Sequence, residues 1–155
     1  MGIIKHVDFD FYLNRVKAKT TKRIMQIISR ELAPQCSIRP ELLEDICNVR
    51  AASGGICIEN GIALFDLTSK FIKQPVGVIA TLDGKIDLQT PDDKQVDLFV
   101  GVMSPSSGVS NHLQHLSAIV RLLRSEELCG ALRSSRSCDE MKALFMPTQD
   151  WMVAA

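Results

Sequence analysis

The sequence lacks a net charge, a paired-cysteine motif and any apolar run long enough to cross a membrane, and each absence closes a class of function. Lys and Arg number 18 and are matched by 18 Asp and Glu. Such a balance gives no sequence-blind electrostatic grip on nucleic acid or on anionic lipid, so neither is expected as a partner. One local exception runs from Arg15 to Arg23, with five basic residues (Arg15, Lys17, Lys19, Lys22, Arg23) and no acid; it reads as a solvated helix face and its lead-in. The five cysteines (Cys36, Cys47, Cys57, Cys129, Cys138) are odd in number and contain no C-x-x-C pair. That argues against a disulfide framework and against a zinc cluster, and for reduced thiols in a cytosolic compartment. No apolar run approaches ~20 residues, so no membrane insertion is expected. Met1 to His6 forms no signal-peptide apolar region and an acid follows at Asp8, which points to a cytoplasmic protein. A glycine-rich phosphate loop ending in Lys-Ser/Thr is also missing.

What is present reads as one globular domain over residues 1–155, with 46% apolar and 23% charged residues and no repeat or linker. A chain of this size buries roughly two thirds of its unfolded surface and needs no metal or disulfide to hold it. Thr20 caps a first helix carrying Ile24, Ile27, Ile28 and Leu32 on one face, and Pro34 ends it. Pro40 opens a second, with Glu41, Glu44 and Asp45 near its positive end and Leu42, Leu43, Ile46 and Val49 as its stripe; Gly54-Gly55 closes it. Ile56 to Leu67 is β-prone but broken by the turn Glu59-Asn60-Gly61. Val76 to Leu82 reads as a strand stopped by Asp83-Gly84, and Val96 to Met103 as a strand covered on both faces. A helix then places Leu113, Leu116, Val120 and Leu123 on one face behind Ser110 as its cap. Shorter helices follow at about Ser125 to Leu132 and Ser137 to Leu144. Ser53-Gly54-Gly55 and Ser104 to Ser107 read as turns. The fold class is α/β, a sandwich with a mixed central β-sheet flanked by helices.

Three stretches together resemble the bacterial phosphotransferase-system IIA domains of the fructose/mannitol class (type 2), and above all their nitrogen-regulatory branch. They are Leu42-Leu43-Glu44 through Arg50 to Gly54-Gly55; Asn60-Gly61-Ile62-Ala63-Leu64; and Pro105 with His112-Leu113-Gln114-His115-Leu116 and Val120-Arg121-Leu122-Leu123. The lead-in Lys17 to Lys22 is similar as well, so the likeness spans about residues 8–145. The resemblance implies a mixed sheet flanked by helices, and phosphoryl relay through a histidine. That histidine takes the group from a small phosphocarrier protein and passes it to a IIB domain, or holds it as a signal.

Where the family has Pro-His, this chain has Phe65-Asp66, with no histidine between His6 and His112 to stand in. The resemblance therefore makes Asp66 the degenerate phospho-site and Asn60, Gly61 and Phe65 its flanking loop. It makes His112 and Arg50 the supporting pocket, although Arg50 also reads as an ordinary helix-end arginine. Three readings of Asp66 stay open: a solvated loop carboxylate left by drift, a permanent negative charge imitating part of the phosphorylated state, or an acyl-phosphate acceptor. A carboxylate is smaller than a phosphoryl group and carries one charge where that group carries about −1.5 to −2. The acyl phosphate ordinarily needs a magnesium-binding acidic cluster that is not evident here. If the fold brings Asp66 near His112, the two are expected to pair.

His112 and His115 stand three apart on a helix without a matching Cys or acid, so no metal is expected, and no cofactor is implied. Cys57, in the approach to Asp66, is either a reactive thiol or an apolar filler. The resemblance implies a regulatory, protein-binding homologue without the usual phosphorylation, not an active phosphotransferase. Its partners would be a phosphocarrier protein, a sensor kinase, a transporter subunit or a regulator. The alternative is a working phosphocarrier with another acceptor. The sequence leaves the oligomeric state open.

Overall fold

The computed structural model describes residues 8–88 and 94–146; the Met1-to-His6 segment considered above lies outside them. The strands are β1 (Phe11–Val16), β2 (Ile56–Glu59), β3 (Ile62–Ser69), β4 (Val76–Asp87) and β5 (Gln95–Pro105). They form one mixed sheet in the order β1-β4-β5-β3-β2. β1 runs parallel to β4 and β3 parallel to β5, while the β4–β5 and β2–β3 pairs are antiparallel. Helices α1 (Thr21–Cys36) and α2 (Pro40–Ala52) cover one face; α3 (Val109–Leu123), α4 (Glu126–Ser134) and α5 (Cys138–Ala143) cover the other. This is the α/β sandwich that the succession of elements predicts.

Side chains alternate along the strands, so β1, β3, β4 and β5 each feed two cores, while β2 contributes Ile56 and Ile58 to one and leaves its other face exposed. Phe65, Leu67 and Phe99 enter the core under α1 and α2, whereas Leu98, Val100 and Val102 enter the one under α3, α4 and α5. Phe65 and Phe99 stack with ring centroids 6.3 Å apart. Being covered twice is why β5 reads as an almost unbroken apolar run. Asp97, its one charged residue, pairs with Arg133 at 2.9 Å.

Several local signals act as their chemistry predicts. The hydroxyl of Thr20 accepts the Arg23 N–H at 3.1 Å, and Ser125 and Ser137 cap α4 and α5 in the same way. Asn60 and Gly61 both take positive φ (54° and 78°), the two-residue hairpin connection whose twist suits the strands it joins.

Other expectations are corrected. β1 was not foreseen; it is an edge strand whose inward residues do not alternate cleanly. Pro34 lies inside the last turn of α1, which runs on to Cys36 because Leu32, Ala33 and Cys36 are all buried there. The helix closes instead on Ser37 at φ 55°, with Ile38 N–H bonded to Ala33 O. Asp83-Gly84 does not stop β4: the register breaks between Thr81 and Ile86 and resumes with Ile86 opposite the buried Val96. Ser104 belongs to β5 and not to a turn, and Ser110 lies within α3, whose cap position is Gly108. The fully buried residues of α3 are His112, Ile119 and Leu122; of the expected stripe, Leu116 and Leu123 pack against the core and Leu113 and Val120 are exposed.

Candidate functional site

The site forms where β2 stops short. β2 pairs with β3 only from Glu59 opposite Ile62 to Ile56 opposite Phe65, so the edge of β3 is open from Asp66 onward. Gly55 O accepts the Asp66 N–H at 3.2 Å, and the carbonyl of Asp66 accepts from Arg50 Nε at 2.9 Å. An edge carbonyl otherwise left without a strand partner is thereby satisfied. Arg50 comes from the last turn of α2, as its sequence position suggests, and its Nη2 also donates to Asp66 Oδ1 at 3.1 Å.

The second oxygen of Asp66 faces the other helical layer. Asp66 stands opposite Val102 on β5, and Ser104 lies two residues further on the same face. Only Pro105 and the short turn Ser106–Gly108 separate Ser104 from α3, so the first turns of α3 fold back over both residues. His112 there places Nε2 3.0 Å from Asp66 Oδ2 and Nδ1 2.7 Å from Ser104 Oγ. A ring nitrogen must carry its proton to bond a carboxylate, so Nε2 is the donor to Asp66. The histidine is only 3% exposed and Ser104 is buried with it, whereas the Asp66 side chain keeps 31% of its surface in solvent.

Asp66, His112 and Arg50 therefore meet, and Asp66 and His112 pair as expected. Phe65 points into the opposite core, fully buried. Asn60 and Gly61 occupy the hairpin turn at the other end of β3, roughly 16–20 Å from Asp66 at the rise of an extended strand. There Asn60 O accepts from Arg133 Nη2 at 2.8 Å, and a β-carbon at Gly61 would stand 2.9 Å from that same atom. These two residues serve the hairpin and its clamp to α4. Cys57 is exposed on β2, opposite Leu64. His115 is half-buried one turn along α3, and burial, with His112 nearby, lowers its pKa below the ordinary histidine value.

Sequence reasoning missed Ser104. A hydroxyl closing an otherwise apolar, doubly covered strand was the available signal, because a buried hydroxyl needs a partner. Ser104, His112 and Asp66 form a hydrogen-bonded Ser–His–Asp chain, yet the buried Ser104 Oγ gives no substrate access to a nucleophile. Both ring nitrogens of His112 are already committed, which leaves neither for a metal.

Beside the cluster runs a groove of about 390 Å³ lined by Asp45, Ile46, Val49, Arg50, Ser53 and Leu67. Val49 is 70% exposed next to Arg50, and Val109 and Leu113, 57% exposed in the second case, flank His112 on α3. No helix among the described residues is long and apolar enough to cross a membrane.

Comparison with known proteins agrees with this architecture. The Escherichia coli (strain K12) nitrogen regulatory protein is 28% identical over 137 residues, covering 88% of this chain and 84% of that protein. The crystal structure of the nitrogen regulatory protein IIA-Ntr from Neisseria meningitidis superposes with a TM-score of 0.78 at 19% identity, over 87% of this chain and 92% of that one. The Escherichia coli mannitol IIA, solved in complex with phosphorylated mannitol IIB, gives a TM-score of 0.70 at 18% identity, over 88% and 93% of the two chains. Residues 9–146 match the family model described as phosphoenolpyruvate-dependent sugar phosphotransferase system, EIIA 2, and the chain belongs to that family.

Proposed function

We propose that this chain is a regulatory, protein-binding IIA homologue that has left the phosphoryl relay at its usual site, with Asp66 standing where the family's phosphoryl-accepting histidine would be. The observation that carries this is the double engagement of the Asp66 carboxylate, Oδ1 by Arg50 and Oδ2 by His112. A carboxylate so held is not a free nucleophile. The neighbouring imidazole cannot replace it, being buried with Nε2 turned into the pair. The same geometry weighs against Asp66 as an outward-facing imitation of phosphohistidine, since its charge is balanced by Arg50 within the site.

Exposed Val49, Val109 and Leu113 around a polar centre suit contact with another protein. Likeness to the nitrogen regulatory proteins favours a phosphocarrier protein, a sensor kinase, a transporter subunit or a regulator as the partner. A IIB domain is the partner in the mannitol complex. Titrating a phosphocarrier protein into ¹⁵N-labelled chain tests the docking face: amide shifts clustered at Val49, Val109 and Leu113 support it, and shifts confined to the Asn60–Arg133 end of the sheet refute it.

A working carrier with another acceptor is the second reading. His115 favours it, because burial lowers the pKa of that half-buried imidazole and so favours the neutral form, which is the nucleophilic one. His6 lies outside the described residues.

A further inference from the structure

Two irregularities in the sheet meet at one level, at the end far from Asp66. β1 bulges at Asn14 and Arg15, because Leu13 pairs with Ala80 and Val16 with Leu82. β4 bulges between Thr81 and Ile86, opposite Leu98 and Val96 of β5. Bulges bend a strand and re-aim its side chains. Here they frame an open cavity of about 260 Å³ whose polar lining is Arg15, Thr81, Asp83, Lys85, Asp97 and Arg133.

Arg15 holds a backbone conformation that does not suit its residue type. Its φ is 53°, in the left-handed region that a β-carbon disfavours. Of the described non-glycine residues with positive φ, Ser37 closes α1 and Asn60 turns a hairpin, whereas Arg15 lies inside a strand. The strained segment is pinned from the core: Arg15 N–H donates to Thr81 Oγ1 at 2.7 Å, and Thr81 is buried. Asn14 Nδ2 donates to the same oxygen at 3.3 Å and to Ser135 O at 3.1 Å. Yet the side chain of Arg15, like that of Lys85, is exposed and has no hydrogen-bond or ion-pair partner among the described residues. Strain kept at an unengaged cation points to a use for that cation. Arg133 is fixed in turn, Nε on Asp97 Oδ1 at 2.9 Å and Nη2 on Asn60 O at 2.8 Å, which leaves Nη1 uncommitted.

We infer that this cavity is a second ligand site, which takes a small oxyanion that also carries a hydroxyl group. Arg15, Lys85 and Nη1 of Arg133 supply charged donors to the oxyanion. The charge of Asp97 is balanced by Arg133, so two free cations face one free carboxylate, that of Asp83, which accepts from the hydroxyl. The site shares no residue with Asp66 and its partners, and it does not depend on the reading above.

Phosphate esters and hydroxy acids share this chemistry, and the test separates them. The ¹⁵N-labelled chain is titrated with glycerol 3-phosphate and with malate, each against potassium chloride at matched ionic strength. Saturable amide shifts at Arg15, Thr81, Lys85 and Asp97 are expected, and the probe that binds tighter names the oxyanion. Arg15→Gly removes the side chain and suits the left-handed backbone, so it is expected to unfold at no lower urea concentration than the parent. It is nevertheless expected to bind about tenfold or more weakly, the scale of one charge-assisted hydrogen bond. Lys85→Gln is expected to weaken binding in the same direction, whereas Lys17→Gln, a charge removed outside the cavity, leaves it unchanged. Absence of saturable shifts with both probes overturns the assignment, as does equal affinity in the parent and Arg15→Gly. Shifts confined to Arg50, Asp66 and His112 overturn it too, because they place the ligand at the other end of the sheet.

Discussion

Gly55 leaves open the space that the side chain of Arg50 crosses: a β-carbon there would lie 2.7 Å from Arg50 Cγ and 2.9 Å from its Nε. The same hypothetical atom would be 2.7 Å from the Arg50 carbonyl, so a shift of the side chain alone does not relieve the clash. Gly55→Ala is expected to cost about 1–3 kcal/mol in urea unfolding, as overpacking does. It also moves the Arg50 Nε–H signal as the contact to Asp66 O is lost. Gly54 is a glycine for another reason: its φ of 92° is left-handed while nothing lies within 4 Å of its missing β-carbon. Gly54→Ala is expected to lose about 1–2 kcal/mol through backbone strain and to leave the Arg50 signal where it is.

Phe65 fills the core behind the site rather than the site itself. It is fully buried and stacked on Phe99 at 6.3 Å. Phe65→Ala is expected to destabilise the fold by about 3–5 kcal/mol, measured by chemical denaturation. The conservative Phe65→Leu is expected to cost clearly less and to leave the His112 ring signals unchanged.

The cysteines divide into two groups. Burial raises the pKa of Cys36 and Cys129, and that of Cys47 is pushed up to about 12, whereas Cys57 and Cys138 are exposed. The thiolate is the reactive species. Alkylation of the native protein at pH 8 is therefore expected to add two labels quickly and the other three only on unfolding, as counted by intact mass.

His115 sets part of the acid response. Its folded-state pKa is lowered, first by burial and then by His112, with Asp10 opposing. The unfolded chain thus binds the proton more readily, so the contribution of His115 to stability is fully present above about pH 6.5 and is lost as pH falls through the lowered folded value. Comparing unfolding at pH 5 and pH 7.5 in the parent and in His115→Gln checks this: the variant is expected to show a shallower decline on the acid side.

The features legible in the sequence were those written in local chemistry. Thr20 had a cap to make, Ser125 and Ser137 marked where short helices begin, Asn60-Gly61 had the residues a tight hairpin requires, and β5 showed by its apolar run that it is covered twice. What stayed hidden depended on tertiary contacts. The residues of α3 that face the sheet include His112, a polar residue that disguises that face; of the expected apolar stripe, Leu116 and Leu123 pack against the core while Leu113 and Val120 are exposed. β4 passes through Asp83-Gly84 because pairing of Ile86 with Val96 lies beyond it. Asp66, His112 and Arg50 were legible through the resemblance. Ser104 was not, because its partner is eight residues away across a turn whose path the sequence does not show.

The central claim is that Asp66 takes this chain out of the phosphoryl relay while the surface around it is kept. The most direct measurement is intact mass after incubation with phosphoenolpyruvate, enzyme I and a phosphocarrier protein, with Asp66→His treated alongside. The account predicts an unmodified parent and one phosphoryl group on Asp66→His, whose new imidazole would lie between Arg50 and His112. A phosphoryl group on the parent would contradict it and make the chain an active carrier.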